Sequence, residues 1–119
     1  MTIPYEDLLG IQYKDHGRSK EEGFDCYGLV IELCRRNGTP LVDVWYDNHN
    51  LEQADNIPQM NIQEETEIKP GYLLEMRYND TLHIGMAVNS RQFIHTTRKG
   101  VRVSPIGSIP IMGIYSVCN

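Results

Sequence analysis

The sequence predicts an α+β domain, with a helix-bearing first part and an antiparallel sheet after it. Three observations predict it. The run CYGLVIELCRRNG carries Leu29, Val30, Leu33 and Cys34 at helical spacing. After Pro70-Gly71 the chain breaks into short alternating runs, YLLEMRY, LHIGMAV, QFIHTT, GVRVSPI and IMGIYSV, parted by Asn-Asp, Asn-Ser-Arg, Lys-Gly and Ser-Ile-Pro. With 40% hydrophobic and 23% charged residues, the 119 residues read as one globular domain, 1–119, holding one modest core.

Taken in order, Pro4 fits a first helical turn and Leu8-Leu9 precede Gly10, so a short helix is expected from Pro4 to Leu9. The polar stretch GRSKEEGFD leads to Asp25, which can cap the main helix, while Arg35, Arg36, Asn37 and Gly38 supply a cationic last turn and a stop. From Thr39 to Lys69 the pattern reads mostly as loop, with a short helix near Leu51 to Asp55, a Trp45-Tyr46 pair covering the loop, and a solvated acidic run at Glu64, Glu65 and Glu67. The five alternating runs then make an antiparallel meander.

A net charge of -5 and a pI of about 5.3 leave no basic field for a phosphate backbone, so nucleic acid is excluded as a partner. The start MTIPYEDLLG lacks the basic and apolar regions of a signal peptide, and no run is apolar enough for a membrane span. Cytoplasmic synthesis is expected. Three cysteines, Cys26, Cys34 and Cys118, are an odd and scattered set, which argues against a disulfide framework. No metal-ligand spacing is present, and neither metal nor cofactor is expected.

A thiol attacks as thiolate, and its pKa falls at a helix N-terminus or beside an imidazolium. Cys26 stands at the start of the main helix, although Asp25 opposes activation. His83 and His95 are twelve residues apart in neighbouring strand runs. If Asn89-Ser90-Arg91 forms a three-residue hairpin loop, Val88 pairs with Gln92, Gly85 faces His95, and both imidazoles share one sheet face. A two-residue loop puts them on opposite faces. In the first register Gly85 and Ala87 keep the histidine face small, leaving room for the Cys26 helix to approach it, and Ile84, Met86, Val88 and Ile94 form a core on the other side. His95 would then bond the far nitrogen of His83 and fix its tautomer.

The residues at this point resemble the NlpC/P60 cysteine peptidases of bacteria and phages. The likeness runs from YEDLLGIQYKDHGRSKEEGFDCYGLV through IKPGYLL to LHIGMAV, QFIHTT and GVRV, and its blocks are GFDCYGLV, KPGYLL, HIGM and FIH. It implies a papain-like fold, with N-terminal helices carrying the cysteine against a five-stranded antiparallel sheet. Cys26 matches the nucleophile, His83 the base and His95 the polar third residue, while Tyr13, Asp25 and Tyr27 fall where the substrate is held. Tyr27 stands for a usual Ser and Tyr72 for a usual Asp. The aromatic after the cysteine is similar to the phage-tail branch, which implies phage tail proteins as partners.

The activity the resemblance implies is hydrolysis of a peptide bond in peptidoglycan peptides, possible also as a tail-associated hydrolase. Two other readings compete: a catalytically silent assembly or binding module of the same fold, and a cysteine amidase or acyltransferase on another amide. Cys34 and Cys118 read as ordinary small hydrophobes, and His16 and His49 as loop residues. Arg98, Lys99 and Arg102 read as a wet strand edge near His95, within reach of an acidic peptide.

Overall fold

The computed structural model describes residues 3–43, 60–78 and 81–118. Trp45, Tyr46, His49, the short helix expected near Leu51 to Asp55 and the Asn79-Asp80 turn lie outside them. Helix α1 spans Cys26–Arg36, and the Asp25 carboxylate caps it by accepting from the Gly28 N–H. Its other end closes as a Schellman turn: Gly38 (φ 76°) donates to Arg35 O and Thr39 to Cys34 O, at 3.2 and 3.0 Å. Leu29, Val30 and Leu33 are fully buried, each contributing roughly 1.5–3 kcal/mol of apolar burial.

α1 is the one α-helix among the described residues, where several N-terminal helices were expected. The Pro4–Leu9 segment forms only a 3-10 turn, Glu6–Leu8, because its bonds run from Leu8 to Tyr5 and from Leu9 to Glu6 before Gly10 turns the chain at φ 82°. Strands β1 (Arg18–Ser19) and β2 (Gly23–Phe24) form a small antiparallel ribbon ahead of α1.

The main sheet has six strands, not five: β3 (Ile62–Glu64), β4 (Leu73–Tyr78), β5 (Thr81–Ala87), β6 (Gln92–Thr97), β7 (Gly100–Pro105) and β8 (Ile111–Val117). Their order is β3-β8-β4-β5-β6-β7. The extra strand lies in the stretch read as loop; it is three residues long and pairs only with β8, too short for a periodic signal. Nor does the meander run to the end of the chain. After β7 the chain crosses back, and β8 pairs with β4, Leu73 opposite Tyr115 and Leu74 opposite Ile114. The β7 edge is covered by the N-terminal segment, with Gly10 N–H donating to Val101 O and Val101 N–H to Ile11 O, each at 2.9 Å.

The sheet separates two cores. On one face Leu73, Met86, Ile94, Val101 and Tyr115 pack with Leu29, Val30, Leu33 and Cys34 of α1. On the other, Leu74, Met76, Ala87 and Phe93 pack with Ile68, Ile106, Ile109, Ile111 and Ile114. The helix therefore lies on the Met86–Ile94 face and not on the small histidine face. The small residues serve a closer need: a Cβ on Gly85 would stand 2.9 Å from Ile94 O, 3.0 Å from a Phe93 ring carbon and 3.3 Å from His95 Cβ.

Candidate active site

The start of α1 is fixed by a buried carboxylate. Asp25 has no exposed surface. Its Oδ1 accepts from Gly28 N–H at 2.6 Å and from Arg18 at 2.9 Å, and its Oδ2 accepts from the His16 N–H at 3.1 Å. His16 holds a left-handed backbone, φ 58°, in this loop. The loop passes so close over the helix that a Cβ on Gly28 would lie 2.0 Å from Gly17 O. The buried charge is answered by Arg18, which also binds exposed Asp43 through Nε and Nη2 at 3.1 Å each.

Cys26 is the first residue of α1 and is buried. Its sulfur meets the backbone N–H of Ile84, next to His83. Ladder geometry explains why that N–H is free. Val88 N–H donates to Gln92 O and Ala87 N–H to Tyr72 O, so in β5 the N–H groups of 84, 86 and 88 point toward β6. The β5–β6 ladder pairs Met86 with Ile94 and Ala87 with Phe93 and extends no further among the described residues. The helix start arrives where the two strands part.

That register is the one a three-residue Asn89-Ser90-Arg91 loop demands, and it brings the two imidazoles together. His83 Nε2 and His95 Nδ1 are hydrogen-bonded at 2.8 Å, with ring centroids 5.0 Å apart in a T-shaped pair. The chain of bonds continues: His95 Nε2 lies 2.8 Å from the Ser104 hydroxyl on β7. Ser104 carried no signal in the one-dimensional pattern. The turn beyond β6 holds one, because pairing Thr97 with Gly100 sets Arg102 opposite His95 and Ser104 diagonally beside it on the same face.

Burial dominates the electrostatics of this cluster. It pushes the Cys26 thiol up to about 12, aided by the Asp25 charge and opposed by the N–H groups of Ile84, Tyr27 and Cys26 itself. His83 is lowered to about 3 by burial and then by His95, and His95 to about 4 by burial and then by Arg102. Burial thus favours the uncharged form of the thiol and of both rings.

The residues expected around the substrate are placed unequally. Tyr13 stays half-buried, its hydroxyl held by Asp15 and close enough to Cys26 that a thiolate would raise its pKa further. Tyr27 is buried; its hydroxyl donates to Val42 O and its ring carries the Arg18 guanidinium 5.9 Å from the centroid. Asp25 and Tyr27 thus brace the helix start in this conformation, Asp25 through Gly28, Arg18 and His16, and Tyr27 through Val42. Cys34 is a core residue whose thiol burial pushes up to about 12, and Cys118 donates to Gln63 Oε1 at 3.4 Å. Arg98, Lys99 and Arg102 are exposed. No group of His, Cys, Asp and Glu that could hold a metal occurs among the described residues.

Fold and geometry define an α+β domain with a thiol at a helix start beside a hydrogen-bonded histidine pair. Residues 10–111 match the NlpC/P60 family, and the chain belongs to it. That family is one of cell-wall peptide hydrolases. A solved structure with the same fold is a Staphylococcus aureus protein described as similar to a lipoprotein of the NLP/P60 family. It has 20% identity and a TM-score of 0.67 over 94% of this chain. This chain spans 38% of that protein's length. No curated protein matches the chain. No helix among the described residues is long and apolar enough to cross a membrane.

Proposed function

We propose that the chain is one catalytic domain of a cysteine peptidase that hydrolyses an amide bond in peptidoglycan peptides, with Cys26 as nucleophile, His83 as base and His95 as its orienting partner. The observation that carries the reading is the meeting of the Cys26 sulfur with β5 at the residue beside His83, while the far nitrogen of His83 is bonded to His95. With Nε2 of His83 bonded to His95, the reading assigns the thiol proton to Nδ1. The thiolate, stabilised by the backbone N–H groups around it, attacks the carbonyl carbon, and His83 returns the proton to the departing amine nitrogen. A thioester on Cys26 remains. Water then attacks it, giving its proton to His83, and the thiol and a free carboxylate are restored.

Tyr13 is the substrate-side residue this reading keeps, because its hydroxyl lies in the electrostatic reach of Cys26. Burial and the Asp25 charge oppose the thiolate, and the backbone N–H groups of Ile84, Tyr27 and Cys26 favour it. For the setting, we propose cytoplasmic synthesis and delivery to the wall with a phage or prophage tail, on the Cys26-Tyr27-Gly28 form alone. Purified protein incubated with peptidoglycan fragments should release cleaved peptides identifiable by mass spectrometry, and Cys26→Ala should release none. Binding without cleavage by the unaltered protein would assign the chain to the silent-module reading, and cleavage by Cys26→Ala would remove the thiol from the mechanism.

A further inference from the structure

We infer that Ser104 is a positioning residue that receives the His95 Nε2–H, giving the hydrogen-bond chain through His95 to His83 the direction in which Nδ1 of His83 carries no proton. The inference extends the proposed catalytic reading, although its structural half stands without it. Two neutral histidines joined Nε2 to Nδ1 can share their protons in two ways. In one, His83 carries its proton on Nε2, donates it to His95 Nδ1, and keeps Nδ1 bare as a base. His95 then carries its own proton on Nε2 and must donate it. In the other, every proton sits one nitrogen over, and Nδ1 of His83 carries an N–H that cannot serve as a base.

What lies at the far end therefore decides what the near end can do. The group on His95 Nε2 is the Ser104 hydroxyl at 2.8 Å, which can donate to a bare nitrogen or accept an N–H through an oxygen lone pair. The neighbouring residue of the strand that could contend for this position is Arg102, directly opposite His95; it is donor-only, and its charge disfavours a second proton on the ring. Once His83 takes the thiol proton both its nitrogens are donors, so His95 Nδ1 has to accept and its Nε2–H has to be received. Ser104 is placed to receive it, and His95 is buried to 3% exposure, which limits what else can. The bond thus supports the charged ring during turnover, and the same direction in the resting protein leaves Nδ1 of His83 bare.

The test is imidazole 15N NMR of the full chain, comparing the unaltered protein with Ser104→Ala and Ser104→Thr. The unaltered protein should show both rings protonated on Nε2. Ser104→Ala should raise the Nδ1–H population of both His83 and His95, and Ser104→Thr, which keeps the hydroxyl, should restore the original pattern. Where turnover is measurable, Ser104→Ala should lower kcat by about tenfold with KM little changed, and Ser104→Thr should recover most of it. Nδ1 protonation of either ring in the unaltered protein, or unchanged tautomers in Ser104→Ala, would overturn the inference. A tautomer shift in a protein that cleaves nothing would uphold it while rejecting the peptidase reading.

Discussion

At the scale of single residues the site is held uncharged by burial, and this has a consequence for stability. His83 and His95 have folded-state pKa values lowered from 6.5 to about 3 and about 4, so the unfolded chain binds more protons wherever the pH lies between those values. Their contribution is present above pH 6.5 and is lost as the pH falls toward 3, at up to about 1.4 kcal/mol per pH unit for each ring. The Cys26 thiol, raised from 9.0 to about 12, does the reverse, and stability falls as the pH climbs through that range. Denaturant titrations at pH 7 and 4.5 should show a steeper acid loss for the unaltered protein than for His83→Gln, and equal slopes would contradict the burial account. Asp25 is the second cause of the thiol's rise, so Asp25→Asn, which keeps a capping oxygen, should move thiolate absorbance to lower pH. A shift to higher pH would be inconsistent with that charge acting on Cys26.

The placement of Cys26 at a helix start and of His83 and His95 on one sheet face was legible because each rests on a strong local signal: a helix start, and strand runs divided by a loop of countable length. The bracing contacts of Asp25 and Tyr27 were not legible, for a physical reason. Sequence position sets a residue beside the cysteine, but whether its polar atoms face the cleft or the interior depends on Arg18 and Val42, which arrive from elsewhere in the chain. Ser104 is a short hydroxyl in a run that does not alternate cleanly, and only the Thr97–Gly100 turn points to it.

At the scale of elements, the hairpin β5–β6 sets the site, and Gly85 sets the hairpin. Because its missing Cβ leaves contacts of 2.9–3.3 Å with Ile94 O, Phe93 and His95, Gly85→Ala must displace the strand that carries His95. A loss of about 1–3 kcal/mol in thermal or denaturant unfolding is expected, together with a broken His83–His95 bond visible in the imidazole 15N spectrum. An unchanged spectrum would mean that β6 carries no strain to the ring. Gly28→Ala faces the harder collision, 2.0 Å to Gly17 O, and should lift the loop from the helix start. The three-residue loop fixed the parity of the two histidines in advance, since alternation along a strand leaves no middle course. The face taken by α1 was not fixed, because two apolar faces were available and their choice rests on which side chains pack with Leu29 and Leu33.

At the scale of the whole molecule, the return of β8 to β4 and the short β3 beyond it turn a four-strand meander into a six-strand sheet with a core on each side. Strand order is a long-range property, and alternation within a run says nothing of its neighbours. The helix start meets β5 at Ile84, beside the strand position of His83, while His83, His95 and Ser104 form one hydrogen-bonded chain across β5, β6 and β7. The most direct measurement of the central claim is rapid-quench mass spectrometry of the protein with a cell-wall peptide, mapping any acyl group to its residue. The account predicts a thioester on Cys26 that decays with product release and that does not form in His83→Ala. An acyl group on Cys34 or Cys118, or turnover with no covalent intermediate on Cys26, would contradict it.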